Sequence, residues 1–282
     1  MTKPLAATLL LLALAGMTGI AVAGPQKEPP ALVFGVVPQQ SASELARSWI
    51  PILKYLGDKT GLAMRFATAK DIPTFEQRLA AGEYDLAYIN PYHYTVFHHR
   101  PGYRVLAKEK DRELKGIIVV RKDSPIDDIA QLKGKTVAFP GPAAFAATLL
   151  PQAQLRKLDI PVAPSYVASH DSVYLSVALG LYVAGGGIPR TLGNMGAETR
   201  DQLRILWTTS GYTPHAFVVH PRIPDRTAGQ VQAALLGMAD TPEGEALLKA
   251  IDFHGLVVAH DADYDDIRRL DFRLLETPPP AH

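Results

Sequence analysis

Short β-type runs alternate with helix patterns in the first third of the chain, and this order limits the possible folds more than any other feature. The apolar runs cover Leu32–Val37, Met64–Thr68 and Asp85–Ile89, and helix-type segments begin between them near Ser41 and Asp71. Strands and helices that alternate through short connections predict a parallel sheet covered by helices.

The first helix pattern is marked at both ends and along one face. Ser41 is followed by Glu44 at capping-box spacing, and glycines at 57 and 61 flank the expected end. Pro51 falls inside the pattern, where we expect it to kink the helix. The apolar face comprises Leu45, Trp49, Ile52, Leu53 and Leu56.

A second α/β pattern follows and predicts a two-lobed protein. Further strands are expected at 137–139, 166–168, 183–185 and 205–208, with helices at 142–157 and 171–180. After another strand come helical stretches near 226–239, 242–252 and 261–270. We predict lobe I at 24–115, lobe II at 116–214 and a return to lobe I at 215–282, with a disordered tail from Thr277. The expected crossing strands are Gly116–Arg121 and His215–His220.

The first 23 residues have the pattern of a secretory signal peptide. Lys3 precedes the apolar stretch 5–15, and Ala21-Val22-Ala23 provides a small-x-small cleavage site before Gly24. A membrane anchor is the weaker alternative, because Gly16, Thr18 and Gly19 interrupt the apolar run. These features predict a periplasmic protein that is cleaved after Ala23.

The absence of cysteine and the balance of charge narrow the function further. Without cysteine, lipid attachment, disulfides and thiolate chemistry are excluded. Removing the one lysine of the signal from 29 basic residues leaves 28, equal to the 28 acidic residues. A balanced surface disfavours nucleic acid or an acidic membrane as the partner.

Three expected helix starts offer free backbone N–H groups that attract anions. They contain Gln40-Ser41, Ala143-Ala144 and His170-Asp171-Ser172. Ligands in open α/β sheets bind at the carboxyl ends of strands, where these helices begin. The alternative is that Ser41 and Ser172 only cap their helices.

The segment 88–94 follows a strand directly and combines aromatic with polar groups. Tyr88, Asn90 and Tyr92 are candidate ligand contacts. Packing of these tyrosines in the lobe core is the alternative. The segment Tyr212-Thr-Pro-His215, at the second expected crossing, is either a cleft contact or a simple turn.

The order of four motifs resembles the phosphate/phosphite/phosphonate-binding family of periplasmic receptors. The motifs are Val36-Val-Pro-Gln-Gln40, Tyr84-Asp-Leu-Ala-Tyr-Ile-Asn-Pro91, Asp128-Ile-Ala-Gln-Leu-Lys-Gly-Lys135 and Ser169-His-Asp-Ser172. The resemblance implies a type II periplasmic-binding fold that closes on a ligand between its lobes and delivers it to a membrane permease. It also implies that Gln39, Gln40, His170 and Asp171 face the ligand.

Two departures from the family pattern leave the ligand open. Phosphonate binders usually carry a Ser/Thr cluster where this chain has Ala143, Ala144 and Phe145, and Thr148 lies further along the helix. Many relatives have an acidic residue in place of Val183. A small oxyanion for an ABC importer is the first hypothesis. A less charged ligand, or a role as sensing partner of a membrane histidine kinase, is the alternative.

Catalytic and metal motifs are weak throughout the sequence. His93, His98 and His99 form a local cluster, but His98 and His99 would face different directions and no carboxylate lies between them at ligand spacing. Because zinc needs three or four converging ligands, we expect no metal. No phosphate loop, dinucleotide fingerprint or nucleophile elbow occurs. We therefore predict a monomeric, non-catalytic receptor without a cofactor, and expect Gly185–Gly187 to let the backbone approach the ligand or the facing lobe.

Overall fold

Two β-sheets organise the computed structural model, which describes residues 31–270. The signal peptide and the tail predicted from Thr277 lie outside the described residues. The first sheet has the order β11-β4-β10-β3-β1-β2. Its strands are β1 Leu32–Val36, β2 Met64–Ala67, β3 Leu86–Ile89, β4 Arg104–Glu109, β10 Ala216–Val219 and β11 Leu256–Val258.

The second sheet is built from the middle of the chain and has the order β7-β6-β8-β5-β9. In both sheets a core of parallel strands is extended by antiparallel ones. The strands are β5 Ile117–Arg121, β6 Thr136–Phe139, β7 Ala163–Tyr166, β8 Gly185–Gly187 and β9 Leu203–Thr208.

Helices accompany both sheets. Those in the part of the chain that forms the first sheet are α1 Ala42–Thr60, α2 Ile72–Ala80, α3 Pro91–Phe97, α8 Asp225–Leu236, α9 Pro242–Ala250 and α10 Asp265–Arg268. Those in the part that forms the second sheet are α4 Leu150–Lys157, α5 His170–Ala178, α6 Pro189–Gly193 and α7 Ala197–Arg200. One turn of π-helix, Phe145–Leu149, leads into α4, and 3₁₀ turns cover Ile129–Leu132, Gly237–Asp240 and Asp261–Tyr264.

The predicted face of α1 is the buried one, and the helix continues through Pro51. Ser41 caps it by accepting from the amide of Glu44 at 3.3 Å, and Asp71 caps α2 in the same way through Thr74 at 2.8 Å. Each cap satisfies a backbone donor that the first helical turn leaves free. Within residues 31–270, every helix is too short or too polar to cross a bilayer.

The chain passes between the sheets in the segments 110–116 and 209–215. These connecting segments pair at Leu114 and Tyr212, whose amides and carbonyls exchange hydrogen bonds of 2.7 and 3.0 Å. The expectation that Gly116–Arg121 and His215–His220 themselves cross is wrong. β5 lies wholly in the second sheet and β10 wholly in the first, because each has hydrogen-bonded strands on both sides.

We call residues 117–208 the second half, and the other described residues outside the two connecting segments the first half. The largest apolar cluster contains residues of both halves: Phe145, Ala146, Leu150 and Ile188 of the second half belong to the same cluster as the core of the first. Two further clusters lie within the second half. The halves are therefore packed directly against each other.

Candidate binding site between the two sheets

Three strand-to-helix junctions meet between the halves. β1 leads to the start of α1, β6 leads to the π-helical turn and β7 leads to α5. Gln39, Asn90, His170 and His215 supply the polar lining of the central cavity between the halves, which measures about 10 Å³. That volume has room for about one water molecule. The rest of the lining is apolar: Val37, Ile72, Ala144, Phe145, Ala146, Ala147 and Ile188.

Hydrogen bonds join the halves around this cavity. The amide of His170 donates to the carbonyl of Gln39 at 2.9 Å, and the Asn90 side chain donates to the carbonyl of Ala143 at 3.0 Å. The amide of Ser41 donates to the Asp171 carboxylate at 3.0 Å. The structure is thus a closed arrangement, and it brings most of the predicted contact residues together across the cleft.

Apolar contacts support the same closure. Ile72 of α2 packs against Ala144 and Ala147 at the π-helical turn. Phe145 is buried and meets the ring of Tyr212 edge to face, with centroids 6.0 Å apart. The residues that replace hydroxyls at this helix start therefore bury apolar surface against the first half.

Two buried histidines face the cavity in the neutral form. Burial lowers the pKa of His170 to about 3, and the Nδ1 of this ring lies 2.9 Å from the Thr191 hydroxyl. Burial also lowers the pKa of His215 well below its ordinary value. The Gln39 amide nitrogen can only donate, so the Nε2 of His215 accepts from it at 3.0 Å. A neutral imidazole can still donate one hydrogen bond to an oxyanion.

Asp171 brings a negative charge to the cleft. Burial raises the pKa of this carboxyl, and its contact with the Ser41 amide acts in the opposite direction. One oxygen accepts from Ser41, while Oδ1 is buried and has no hydrogen-bond partner within residues 31–270. The nearby Gln40 side chain also favours the charged form and lowers the pKa of this carboxyl. Asp171 is therefore held against the start of α1 with part of its bonding capacity unused.

The two candidate serines have different roles. Ser41 caps α1, as the alternative interpretation expected. At α5 the cap is Ser169, whose hydroxyl accepts from the amide of Ser172 at 3.1 Å. The Ser172 hydroxyl lies 2.9 Å from the Ser169 hydroxyl.

The tyrosines are mostly packed rather than exposed to the cavity. Tyr88 is buried against Trp49 and stacks on His215 with centroids 5.0 Å apart. Tyr92 is half-buried and packs against the apolar cluster shared by the halves. Tyr212 lies in the second connecting segment. Of the predicted 88–94 segment, Asn90 is the residue that lines the central cavity.

The glycines of β8 serve packing inside the second half, which corrects the expected approach to the facing lobe. A methyl group at Gly186 would lie 2.1 Å from the carbonyl oxygen of Ala147, and one at Gly185 would lie 2.4 Å from Val173. Side chains are excluded here because the π-helical turn and α5 pack directly on the strand.

His93 and His98, two of the clustered histidines, have different hydrogen-bond partners. His93 is buried and bonds Asn90 at 3.2 Å, whereas His98 bonds the carbonyl of Tyr103 at 3.0 Å. Among the residues that the structure describes, no group of three or more His, Cys, Asp or Glu side chains could hold a metal ion.

Sequence reasoning missed an ion pair between Arg190 at the start of α6 and Glu109 at the end of β4. It also gave Ile72 no role at the cleft, and it considered His215 only as part of the segment Tyr212–His215. One sequence feature could have drawn attention to Arg190. It lies in Ile188-Pro-Arg190, directly after a strand, where the proline is typical of a helix start.

Comparisons with known proteins agree with this architecture. Residues 34–264 match the family described as "ABC transporter, phosphonate, periplasmic substrate-binding protein". The chain is 24% identical to the phosphate-import protein PhnD of Mycolicibacterium smegmatis, over 86% of this chain and 85% of that protein. It is 20% identical to the phosphonates-binding periplasmic protein of Escherichia coli K12, over 90% and 79% respectively.

A solved structure shows the same fold. A PhnD protein from Prochlorococcus marinus in complex with methylphosphonate superposes with a TM-score of 0.79 at 17% identity, covering 88% of this chain and 99% of that one. The two sheets and the helix starts between them are those of a type II periplasmic-binding fold. Because the family match extends over most of the described residues, the chain belongs to the phosphonate family of periplasmic substrate-binding proteins of ABC transporters.

Proposed function

We propose that this protein captures a small phosphorus oxyanion, of the phosphonate, phosphite or phosphate class, in the cleft between its halves and delivers it to an ABC permease. The observation that carries the proposal is the meeting of three helix starts at one cavity with Asn90 and two neutral histidines. Helix starts supply N–H donors and a favourable dipole without a charged side chain.

The donors come from both halves, so a ligand would tie them together. On the first half, these are the side chains of Gln39 and Asn90. On the second half, they are His170 and the backbone amides that begin the π-helical turn after Ala144. The cavity of this arrangement, about 10 Å³, is smaller than any of these anions, so it must widen to hold one. A tetrahedral anion would enter when the halves part and Asn90 leaves the carbonyl of Ala143.

The names of the relatives support the same ligand class. One imports phosphate, one binds phosphonates, and the related structure holds methylphosphonate. The less charged ligand considered from the sequence is not favoured by these relatives. We further propose a monomer that is exported with cleavage after Ala23, has no catalytic activity and serves import rather than kinase sensing.

Calorimetry on the protein from Gly24 onward, after unfolding and refolding to remove any bound molecule, tests the proposal. Phosphate, phosphite, methylphosphonate and sulfate would be titrated in turn. Micromolar binding of a phosphorus anion, and its loss in N90S, supports the proposal. Failure of all three phosphorus anions to bind contradicts it. Phosphorus NMR after long incubation should show the compound unchanged, and turnover would contradict the non-catalytic role.

A further inference from the structure

Arg190 extends from the second half into a pocket of the first half. Its side chain is 14% exposed and pairs with Glu109, whose side chain is 3% exposed. The guanidinium lies over the ring of Phe253 at 4.5 Å and faces the Tyr88 hydroxyl at 3.4 Å. Asp252 is 3.8 Å away. Within residues 31–270, Arg190 makes the ion pairs that join the second half to the first.

This pair lies beside the central cavity and outside its lining. The residues that line that cavity include neither Arg190 nor Glu109. Both instead border a larger cavity of about 480 Å³ beside the first connecting segment, together with Arg112 and Lys115. Ile188 and His215 border both cavities, so the pair lies next to the central cavity without lining it.

Separation of the halves must withdraw Arg190 from its pocket. Burial raises the pKa of Glu109, and Arg190 and Arg112 act in the opposite direction, so the carboxylate depends on these arginines to remain charged when buried. Removing one member of a buried pair leaves an uncompensated charge, which strongly disfavours the arrangement that buries it. In the separated form, water can hydrate Glu109 instead.

We infer that Arg190 and Glu109 form a latch that stabilises the closed arrangement in the absence of ligand and so sets the affinity of the cleft. A receptor whose closed form is already populated loses less binding free energy to closure. The latch goes beyond the proposed function, because it concerns the equilibrium between open and closed forms whatever the ligand is.

Because the chain has no cysteine, two introduced cysteines would be the only sites that a thiol-reactive spin label modifies. This allows a direct test. Ile50 in α1 and Leu179 after α5 are exposed and lie in different halves. Double electron–electron resonance on spin-labelled I50C/L179C would measure the distance between the two labels, and so between the halves, in the absence of ligand. We expect R190M and E109Q to raise the ratio of open to closed forms by about tenfold.

Further variants separate a latch from a merely structural role. R190K retains a charge for Glu109 and should restore part of the closed population. K133M removes an exposed pair with Asp159 inside the second half and should change nothing. Unchanged distance distributions in both R190M and E109Q, with melting temperatures near that of the wild type, would overturn the latch.

Phosphite and methylphosphonate titrations complete the test. Saturating anion should return R190M to the short distance, with affinity weakened by the factor by which the closed fraction falls, at most about tenfold. If neither anion binds the wild type, the proposed ligand class fails, while the comparison without ligand still decides on the latch. If R190M opens but binds as tightly as the wild type, the inferred link to affinity is wrong.

Discussion

The backbone amide of Ser41 donates a 3.0 Å hydrogen bond to the carboxylate of Asp171. The start of α1, where an anion is favoured by the helix dipole, is thus occupied by an anion from the opposite half of the chain. A bound oxyanion at this helix start would share the cleft with that carboxylate.

Replacing Asp171 with Asn should therefore strengthen anion binding. The amide oxygen can still accept from Ser41, while the charge that repels an anion is lost. We expect the dissociation constant for the bound phosphorus anion to fall about tenfold, as measured by calorimetry. D123N, on the surface of the second half, is the matched control and should bind like the wild type. Equal or weaker binding by D171N would show that this carboxylate does not oppose the ligand.

The Asn90 side chain caps a helix with one atom and bonds the opposite half with another. Its Oδ1 caps α3 by accepting from the amide of His93 at 2.7 Å, while Nδ2 donates to Ala143 across the cleft. N90S should keep a capping oxygen but lose the contact between halves, whereas N90A loses both. We expect both variants to weaken anion binding by at least about tenfold. In urea unfolding, N90A should be about 1 kcal/mol less stable than N90S, and equal stability of the two would argue against the capping role.

The buried neutral histidines predict that stability falls in mildly acidic solution. The pKa of His170 drops from 6.5 in the unfolded chain to about 3 in the folded one, so below pH 6.5 the unfolded chain binds more protons. The contribution of neutral His170 to the free energy of unfolding is fully present above pH 6.5 and is lost as the pH falls towards 3. At pH 5, this histidine alone should lower the free energy of unfolding by about 2 kcal/mol.

Urea unfolding between pH 7.5 and 5 measures this dependence. H170Q keeps a polar partner for Thr191 and should reduce the slope by about one proton. An unchanged slope in H170Q would mean that His170 is not buried as a neutral group.

Two glycine-to-alanine substitutions test the packing of β8. G186A would place a methyl group 2.1 Å from the Ala147 carbonyl and should destabilise the protein by about 2 kcal/mol or more. G229A lies in the exposed interior of α8, where nothing approaches within 4 Å, and should stabilise by about 1 kcal/mol. Thermal unfolding distinguishes the two signs. A stable G186A would mean that the π-helical turn can move away from the sheet.

The sequence predicts the fold well where side chains repeat along one face. The pattern of Leu45, Trp49 and Leu56 marks α1 correctly because burial follows the helical period. The bounds of β8 were shifted from 183–185 to 185–187, since three glycines carry no side-chain pattern. β7 begins at Ala163 rather than near Tyr166, because pairing with β6 and not residue preference forms this edge strand.

The candidate site was predictable only in part. Strand-to-helix junctions identify Gln39, Asn90 and His170, because topology brings the ends of parallel strands together. Pairing between distant residues leaves no local signal: Arg190 and Glu109 are 81 positions apart in the chain. The burial of Tyr88 likewise depends on Phe217 and Phe253 from the returning segment.

The place of β10 in the first sheet has a consequence for the order in which the two sheets can form. β10 is hydrogen-bonded between β3 and β4, although the whole second half separates it from them in the chain. Because the chain is made from its amino end, β3 and β4 are complete before β10, and the pairing that joins them in one sheet waits for Val219. The second half has all its strands earlier, so it can fold while the edges of β3 and β4 are still unpaired. Those edges are therefore exposed to non-native strand pairing until β10 is available.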